Sequence, residues 1–197
     1  MKTRIAVMVS GGGTNLQALI DAQSRHEIPD GEIALVISNR PGVYALTRAE
    51  AADIPAVVLP RKGFEEAALE ILERYSIDII VLAGFLAILS ADFIGHFPDR
   101  IINIHPSLIP SFCGPGFYGL KVHEAALAYG VKVTGATVHY VNEIPDGGRI
   151  IAQRAVAVRE GDTPEQLQRR VMEQAEWKLL PMATQLVANR IRMEKDS

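Results

Sequence analysis

Two polar side chains interrupt an otherwise apolar stretch at residues 101–106, which reads IINIHP. Because side chains alternate along a strand, Asn103 and His105 point to one side and Ile104 to the other. An amide can donate to a developing oxyanion, and an imidazole with a reference pKa of about 6.5 can move protons at neutral pH. A histidine before a turn is also a common structural residue. The pair on one face indicates acyl-transfer chemistry if further groups join it.

A carboxylate partner for His105 is offered by the sequence DGG at 146–148. A carboxylate beside an imidazole favours the charged form of the ring. Asp146 is the first candidate for this role and Glu143 the second. An aspartate followed by glycines is also typical of a hairpin turn. The residues alone leave both interpretations open.

The sequence SGGGTN at 10–15, called the glycine loop below, lies between the first predicted strand and the first predicted helix. Free amides at a helix N-terminus favour an anion, and glycines allow a phosphate to approach the backbone. A dinucleotide site is not favoured, because the third glycine of GxGxxG would fall at Leu16. A monophosphate held by Gly13, Thr14 and Asn15 fits better. The alternative is a tight turn that needs glycine for its geometry.

A third region of interest is DIIVLAGFLAIL at 78–89, where a predicted central strand continues into an apolar loop. Ligands of open α/β sheets bind beyond the carboxyl ends of the strands. Phe85, Leu86 and Leu89 could therefore form an apolar wall for a planar heterocycle. The alternative for each of these residues is plain core.

Other chemistries find less support in the residue pattern. His123 and His139 could join His105 around a metal, but no ligand spacing supports such a site, and none is expected. Cys113 has no basic neighbour closer than Lys121, so it lacks the setting of an activated thiolate. No nucleophile elbow is present for a serine-type acyl-enzyme.

The bulk composition is that of an ordinary globular protein. The chain has 197 residues, 48% of them hydrophobic and 22% charged, which suits one domain with a sizeable core. A formal charge of −3 disfavours a nucleic-acid partner. Cys113 is the only cysteine, so no intrachain disulfide can form. No stretch resembles a signal peptide or a membrane span. We therefore predict a cytoplasmic protein.

Short aliphatic stretches alternate with segments of helical period, which predicts βαβ units and a parallel sheet. The predicted strands cover 4–9, 32–38, 55–60, 78–85 and 101–105, and the predicted helices cover 15–25, 44–52, 63–75 and 121–130. Residues 133–141 and 149–158 predict an antiparallel hairpin. A helix from Asp162 should end before Pro181, and could resume to Arg190. The fold class is thus α/β, with a mostly parallel central sheet flanked by helices and a late antiparallel pair. Residues 1–190 are predicted to form one domain, and 191–197 a frayed tail.

Several stretches, in order and approximate spacing, resemble the phosphoribosylglycinamide formyltransferase family. They are SGGGTNLQALI, VLAGFLAILS, NIHPSLIPSF, TGATVHYV and DGG, and the likeness covers residues 4–190. The resemblance implies a Rossmann-like formyltransferase fold. It implies formyl transfer from 10-formyltetrahydrofolate to the amine of 5-phosphoribosylglycinamide, in purine biosynthesis. It also implies small-molecule partners, no nucleic acid, no membrane and a monomer or homodimer.

The resemblance also implies roles for individual positions. Asn103, His105 and Asp146 would be catalytic, with Thr137 nearby. The substrate phosphate would lie at Gly13, Thr14 and Asn15, and Glu176 would contact the ribonucleotide. The residues implied for the folate donor are Arg61, Leu86, Ala87, Ile88, Leu89, Asn103, Asn142, Glu143, Ile144, Pro145 and Asp146.

Three departures from the family pattern are visible. Ala87 stands where many relatives carry a charged side chain, which should alter only the pocket rim. The segment that follows Pro110 is longer than in the commonest form of the family and could act as a lid. One extra residue lies between Arg170 and Glu176, which leaves open whether Met172 or Glu173 contacts the substrate.

Related functions are less compatible with the chain. Methionyl-tRNA formyltransferase and formyltetrahydrofolate hydrolase carry added domains for which this chain has no room. The glycine loop counts against sugar formyltransferases. The rival from a different functional class is a non-catalytic phosphate- or nucleotide-binding module of Rossmann type. Folate-dependent turnover would distinguish the enzyme from such a module.

Overall fold

The computed structural model describes residues 1–196, so Ser197 of the predicted tail lies outside the described residues. One seven-stranded sheet has the order β3-β2-β1-β4-β5-β6-β7. The pairings from β3 through β5 are parallel, whereas β6 runs antiparallel to both β5 and β7. The strands are β1 (Thr3–Val9), β2 (Gly31–Ser38), β3 (Ala56–Val58), β4 (Ile79–Leu82), β5 (Ile101–His105), β6 (Val133–Tyr140) and β7 (Ile150–Ala157).

Helices cover both faces of this sheet. They are α1 (Thr14–Ser24), α2 (Tyr44–Ala51), α3 (Phe64–Arg74), α4 (Ala91–Gly95), α5 (Leu120–Tyr129), α6 (Pro164–Val171) and α7 (Trp177–Lys195), with a π-helical turn at Met172–Glu176. Alternation along β1 divides the core, because Ile5 and Val7 join the cluster that contains α1 and α7, whereas Ala6 and Met8 join the one that contains α3. The central strands β1, β2, β4 and β5 are therefore buried on both faces, as their continuous apolar sequences predict, whereas β3 and β7 are largely exposed.

The predicted fold class is confirmed, with one more antiparallel pairing than expected. The pairing of β6 with β7 was predicted, and β6 also pairs antiparallel with β5. β4 ends at Leu82, three residues earlier than predicted. The short helix α4 was not predicted. It begins after Ser90, whose hydroxyl accepts a hydrogen bond from the Phe93 amide, a common N-terminal cap.

The late helical region differs from its prediction at Pro181. The helix does not end there, because Pro181 lies inside α7, which continues through Lys195. Leu180, Pro181 and Ile191 are buried, so packing on the sheet outweighs the lost backbone donor. Residues 191–195 are helical rather than frayed. Among residues 1–196, no helix is both long and apolar enough to cross a membrane.

The π-helical turn at Met172–Glu176 lies where the sequence showed one extra residue. A π turn accommodates a single inserted residue without breaking the helix on either side. The turn places Ala175 and Glu176 in the interior. Helical register on both sides is therefore kept, and Glu176 is the residue that faces the core.

Candidate functional site

The site begins with two cross-strand pairs at the carboxyl end of β5. The antiparallel register places Asn103 opposite His139 and His105 opposite Thr137. Because alternate residues of a strand share a face, all four side chains belong to one face of the sheet. His105, Thr137 and His139 are buried, and Asn103 is half-buried. Here, Asn103, His105, His139 and Asp146 are called the polar cluster.

His139 fixes the orientation of the Asn103 amide. The Asn103 Nδ2 lies 3.1 Å from His139 Nε2, and His139 Nδ1 lies 2.8 Å from the Tyr140 carbonyl oxygen. An amide nitrogen can only donate and a carbonyl oxygen can only accept. In the neutral ring, Nδ1–H therefore donates to Tyr140 and Nε2 accepts from Asn103. The second N–H and the oxygen of Asn103 stay available for a ligand.

His105 has protein acceptors at both ring nitrogens. Its Nε2–H donates to the Phe112 carbonyl oxygen at 2.9 Å, and its Nδ1 lies 3.4 Å from Asp146 Oδ2. Burial lowers the pKa of His105 below its ordinary value, and nearby His139 acts in the same direction, while the Phe112 carbonyl and Asp146 oppose them. The ring is thus neutral at rest, and Asp146 is placed to stabilise a proton that arrives on Nδ1.

Asp146 reaches the polar cluster from the loop between β6 and β7. Its Oδ2 accepts a hydrogen bond from the Gly114 amide at 2.8 Å, and its Oδ1 lies 3.6 Å from His139 Nε2. Burial raises the pKa of Asp146, but the contacts with His139, the Gly114 amide and His105 outweigh burial and bring the pKa below its usual value. Asp146 is therefore ionised at neutral pH.

The two interpretations of the DGG sequence are both correct in structural terms. Asp146 has a φ of 57°, in the left-handed region that Asp and Asn adopt in tight turns. A Cβ on Gly148 would lie 1.7 Å from the Tyr140 carbonyl oxygen, and one on Gly147 would lie 2.7 Å from Ile144 side-chain atoms. Side chains are thus excluded at both glycines. The tight turn is what carries the Asp146 carboxylate to His105.

A cavity of 610 Å³ lies beside the polar cluster, beyond the carboxyl ends of β4 and β5. Three groups of predicted residues line it: Leu86–Leu89, the catalytic candidates Asn103, His105 and Asp146, and Asn142–Pro145. The segment 114–119 forms a further part of its wall. A cavity of this size, largely apolar with a few converging polar groups, suits a small organic ligand.

Arg61 does not line this cavity. It lines a neighbouring cavity of 450 Å³, which shares Arg40 and Leu86–Leu89 with the first. The two cavities therefore adjoin along the 86–89 segment. Arg40, which the sequence did not single out, is the cationic side chain common to both. Ala87 is exposed in this shared wall, in agreement with the expectation that it alters only the pocket rim.

The glycine loop lies next to the cavity but does not line it. It follows β1, and the Ser10 hydroxyl connects it to its neighbours by donating to Asn39 Oδ1 at 2.8 Å and accepting from the Leu86 amide at 3.0 Å. Gly13 has a φ of 72°, and a Cβ there would lie 2.7 Å from Ala45 Cβ. An added Cβ on Gly11 or Gly12 meets nothing within 4 Å. The backbone is therefore tightly packed at Gly13 and open at the two preceding glycines.

Asn15 connects the glycine loop to the π-helical turn. Its Nδ2 donates to Glu176 Oε2 at 2.7 Å, and both side chains are buried. Asn15 Oδ1 is buried and has no hydrogen-bond partner among the described residues. Burial raises the pKa of Glu176, and the Asn15 hydrogen bond opposes this. Gly13, Thr14, Asn15 and Glu176 are thus brought together, apart from the polar cluster.

The amino-acid sequence of the chain matches a known protein family. Residues 3–184 match the family model described as formyl transferase. The chain belongs to the formyl transferase family. It is 41% identical to a phosphoribosylglycinamide formyltransferase from Haemophilus influenzae, over 91% of this chain and 84% of that protein.

Other relatives of the chain agree with this family. The chain is 42% identical to glycinamide ribonucleotide transformylase 1 from Symbiobacterium toebii, whose crystal structure superposes with a TM-score of 0.89 over 96% of this chain and 89% of that one. It is 47% identical to the human trifunctional purine biosynthetic protein adenosine-3 over 95% of this chain. The chain spans only 18% of that protein's length.

Sequence reasoning missed some residues of the candidate site. His139 was considered only as a metal ligand. Its position two residues after Thr137 would have indicated that the two side chains lie on the same face of the strand. Arg48 was not considered at all. Its guanidinium donates to the Gly12 carbonyl at 2.9 Å and to Gln17 Oε1 at 2.9 Å, so it places a positive charge beside the glycine loop. No sequence spacing indicates that contact, because it joins α2 to the loop after β1.

Two residues set aside by sequence reasoning lie close to the polar cluster. Cys113 is half-buried, and burial, with the Asp146 charge, raises the pKa of its thiol, so it has no thiolate character. His123 is fully buried on α5, and burial, together with the proximity of the His105 ring, which disfavours a second positive charge, lowers the pKa of His123 to about 4. His123 is thus a neutral core residue at physiological pH.

Proposed function

We propose that this chain transfers the formyl group of 10-formyltetrahydrofolate to the amine of 5-phosphoribosylglycinamide, releasing tetrahydrofolate, in purine biosynthesis. The observation that carries the proposal is that Asn103, His105 and Asp146 all line one cavity that is otherwise largely apolar. Relatives that carry the name of this activity, at 41% and 42% identity over most of the chain, support it.

The ribonucleotide is proposed to bind at the glycine loop. The first amides of α1 have no acceptor within the helix and carry its positive dipole end, and Gly13, Thr14 and Asn15 lie there. Arg48 adds a cation that contacts the same loop. Glu176 and the unpartnered Asn15 Oδ1 offer acceptors for hydroxyl or amide hydrogens of the ribonucleotide. These features suit a phosphorylated substrate better than a plain turn.

The folate donor is proposed to bind in the cavity between Leu86–Leu89 and Asn142–Pro145. Apolar side chains there suit a planar ring system, and exposed backbone groups in both segments can pair with its edges. Arg61 in the adjoining cavity suits the anionic tail of folate, and Arg40 lies between the two spaces. This placement directs the formyl group of the donor towards the polar cluster.

The proposed reaction is direct attack of the glycinamide nitrogen on the formyl carbon, which gives a tetrahedral oxyanion. Asn103, held by His139, donates to the oxyanion, and His105 assists it, with Asp146 stabilising the charged ring. Collapse breaks the bond to the folate nitrogen, and the proton lost by the amine ends on that nitrogen. Orientation of two bound substrates supplies much of the rate.

A cytoplasmic location, small-molecule substrates without nucleic acid or membrane, and a monomeric or homodimeric state complete the proposal. A non-catalytic ribonucleotide-binding module remains the rival, because the glycine loop by itself accounts for binding without turnover. Catalysis needs the polar cluster in addition, so activity decides between the two.

The test is tetrahydrofolate formation from 10-formyltetrahydrofolate and 5-phosphoribosylglycinamide, followed by absorbance and confirmed by chromatography. Omitting the ribonucleotide measures simple hydrolysis, and an amino-sugar nucleotide tests another acceptor. We expect release only with the ribonucleotide, and His105→Ala should abolish it. Release at the same rate without the ribonucleotide would make the protein a hydrolase. Ribonucleotide binding without any turnover would support the binding module.

A further inference from the structure

The loop 111–119 forms one wall of the large cavity. Six consecutive residues, 114–119, line it. The inner end of this loop is attached to the polar cluster, because the Phe112 carbonyl accepts from His105 and the Gly114 amide donates to Asp146. Gly114, Gly116 and Gly119 have φ values of 85°, 90° and 56°. The outer part of the loop is thus a glycine-rich turn. Its inner end is fixed by the hydrogen bonds to His105 and Asp146.

Two of the three aromatic residues of the loop, Phe117 and Tyr118, line the cavity and have different surroundings. Phe117 packs edge-on against Phe112, with ring centroids 6.4 Å apart. Tyr118 is 51% exposed. Its ring lies 4.7 Å from the Lys121 ammonium, which also contacts the hydroxyl at 3.3 Å. Tyr118 lines the cavity and Lys121 does not, so the cation that contacts the ring is not part of the cavity wall.

Exposed apolar side chains from two other segments surround the same opening. Leu86, Ile88 and Ile144 line the cavity and are 54%, 79% and 60% exposed. A single exposed apolar side chain is ordinary, but several around one opening indicate a surface that a ligand covers. With Tyr118 they form an apolar rim supplied by three separate loops. Such a rim suits a flat aromatic ligand that enters between them.

We propose that Tyr118 is a specificity-determining residue that stacks on the ring system of the folate donor and closes the cavity over it. This inference rests on the proposed function. Offset or edge-on packing of two aromatic rings strengthens an interaction beyond area burial, by about three- to tenfold in a dissociation constant. The loop that carries Tyr118 also holds His105 and Asp146, so donor binding and the catalytic geometry are linked through one segment.

The experiment measures the dissociation constant of tetrahydrofolate by calorimetry and the KM values of both substrates, in wild type, Tyr118→Ala, Tyr118→Leu and Tyr118→Phe. We expect Tyr118→Ala to weaken tetrahydrofolate binding and raise the donor KM by about three- to tenfold. Tyr118→Phe should behave as wild type, and Tyr118→Leu should lie between them. The ribonucleotide KM should stay constant, since the glycine loop is not touched.

Met182→Ala is the control, because Met182 lies on α7 outside the cavity and is 48% exposed, similar to Tyr118. This variant should change neither the dissociation constant of tetrahydrofolate nor the donor KM. Equal tetrahydrofolate affinity in wild type and Tyr118→Ala would overturn this inference and leave the proposed function intact. A wild-type protein that binds no tetrahydrofolate would overturn both. A Tyr118→Leu variant with full affinity would show that bulk, rather than an aromatic ring, is what the cavity needs, and would also overturn the inference.

Discussion

The polar cluster and the glycine loop both lie at the edge of the sheet where the parallel strands have their carboxyl ends. The first region is built from side chains and the second mainly from backbone groups. In the polar cluster, side chains from β5, β6 and the loop after β6 hold one another through buried contacts. In the glycine loop, most of the proposed binding groups belong to the backbone, and the side chain of Asn15 anchors the loop to Glu176. Proton transfer needs titratable side chains in fixed positions, whereas anion binding needs amide hydrogens and an open approach. Substitutions should therefore affect turnover in the first region and binding in the second.

The largest effect is expected from Asp146→Asn. The amide keeps the size of the side chain and tolerates a φ of 57°, but it cannot stabilise a charged His105. We expect kcat to fall by about 100- to 10,000-fold, with the ribonucleotide KM nearly unchanged. Steady-state kinetics with each substrate varied in turn measure both quantities.

Asp99→Asn is a matched control, because Asp99 is also an aspartate with positive φ, 53°, and its contact with Arg149 is exposed. It should retain full activity. If Asp146→Asn keeps normal kcat, or loses affinity for the ribonucleotide instead, then the division of roles between the two regions is wrong.

A smaller effect is expected in the glycine loop, where Gly13 and Gly12 test different properties. Gly13→Ala forces a methyl group to within 2.7 Å of Ala45 Cβ at a φ of 72°, so we expect a loss of about 1–3 kcal/mol in the free energy of unfolding. Gly12→Ala meets nothing within 4 Å and should keep its stability, while the methyl group obstructs an approaching phosphate and raises the ribonucleotide KM. Chemical denaturation and kinetics measure the two effects.

This pair of variants separates the two interpretations of the three glycines. If Gly12→Ala leaves both stability and ribonucleotide KM unchanged, then the open side of the loop does not receive the phosphate. The glycines would then serve only the turn at Gly13.

The same contrast explains what the sequence could predict. Asn103 and His105 were found because alternation along a strand is a local rule, and the glycine loop because helix N-termini are recognisable from sequence. The DGG sequence offered Asp146 as a partner of His105 but left a plain turn open, and the family resemblance favoured the first interpretation. The role of Glu176 came from the resemblance alone. His139 was missed because its contact with Asn103 depends on the β5–β6 register, and Arg48 because its contact joins two elements distant in sequence.

The error at Pro181 and the unexpected π turn before Glu176 have one physical origin. Pro181 was expected to end the helix, and the extra residue before Glu176 had no assigned geometry. Both depend on packing against the sheet, which keeps α7 helical through a buried proline and converts the extra residue into a π turn. Local propensity does not report tertiary packing.

The smallest effect is expected from Glu176→Gln, which tests how the glycine loop is anchored. Burial raises the pKa of Glu176, so its stabilising contribution is fully present below the unfolded-state pKa and is lost as pH rises through the folded pKa. Glutamine can still accept from Asn15 and never ionises. We expect the variant to gain on the order of 1 kcal/mol relative to wild type above the folded pKa, and nothing below the unfolded value.

Chemical denaturation of both proteins from acid to neutral pH measures this difference. Other titrating groups are common to the two proteins, so subtracting the curves isolates Glu176. A constant difference at all pH values would mean that Glu176 keeps its ordinary pKa and that the loop is anchored by a charged carboxylate. If instead the difference follows the expected pH dependence while ribonucleotide KM rises, the carboxylate is kept for binding at a cost in stability, as polar residues in functional sites commonly are.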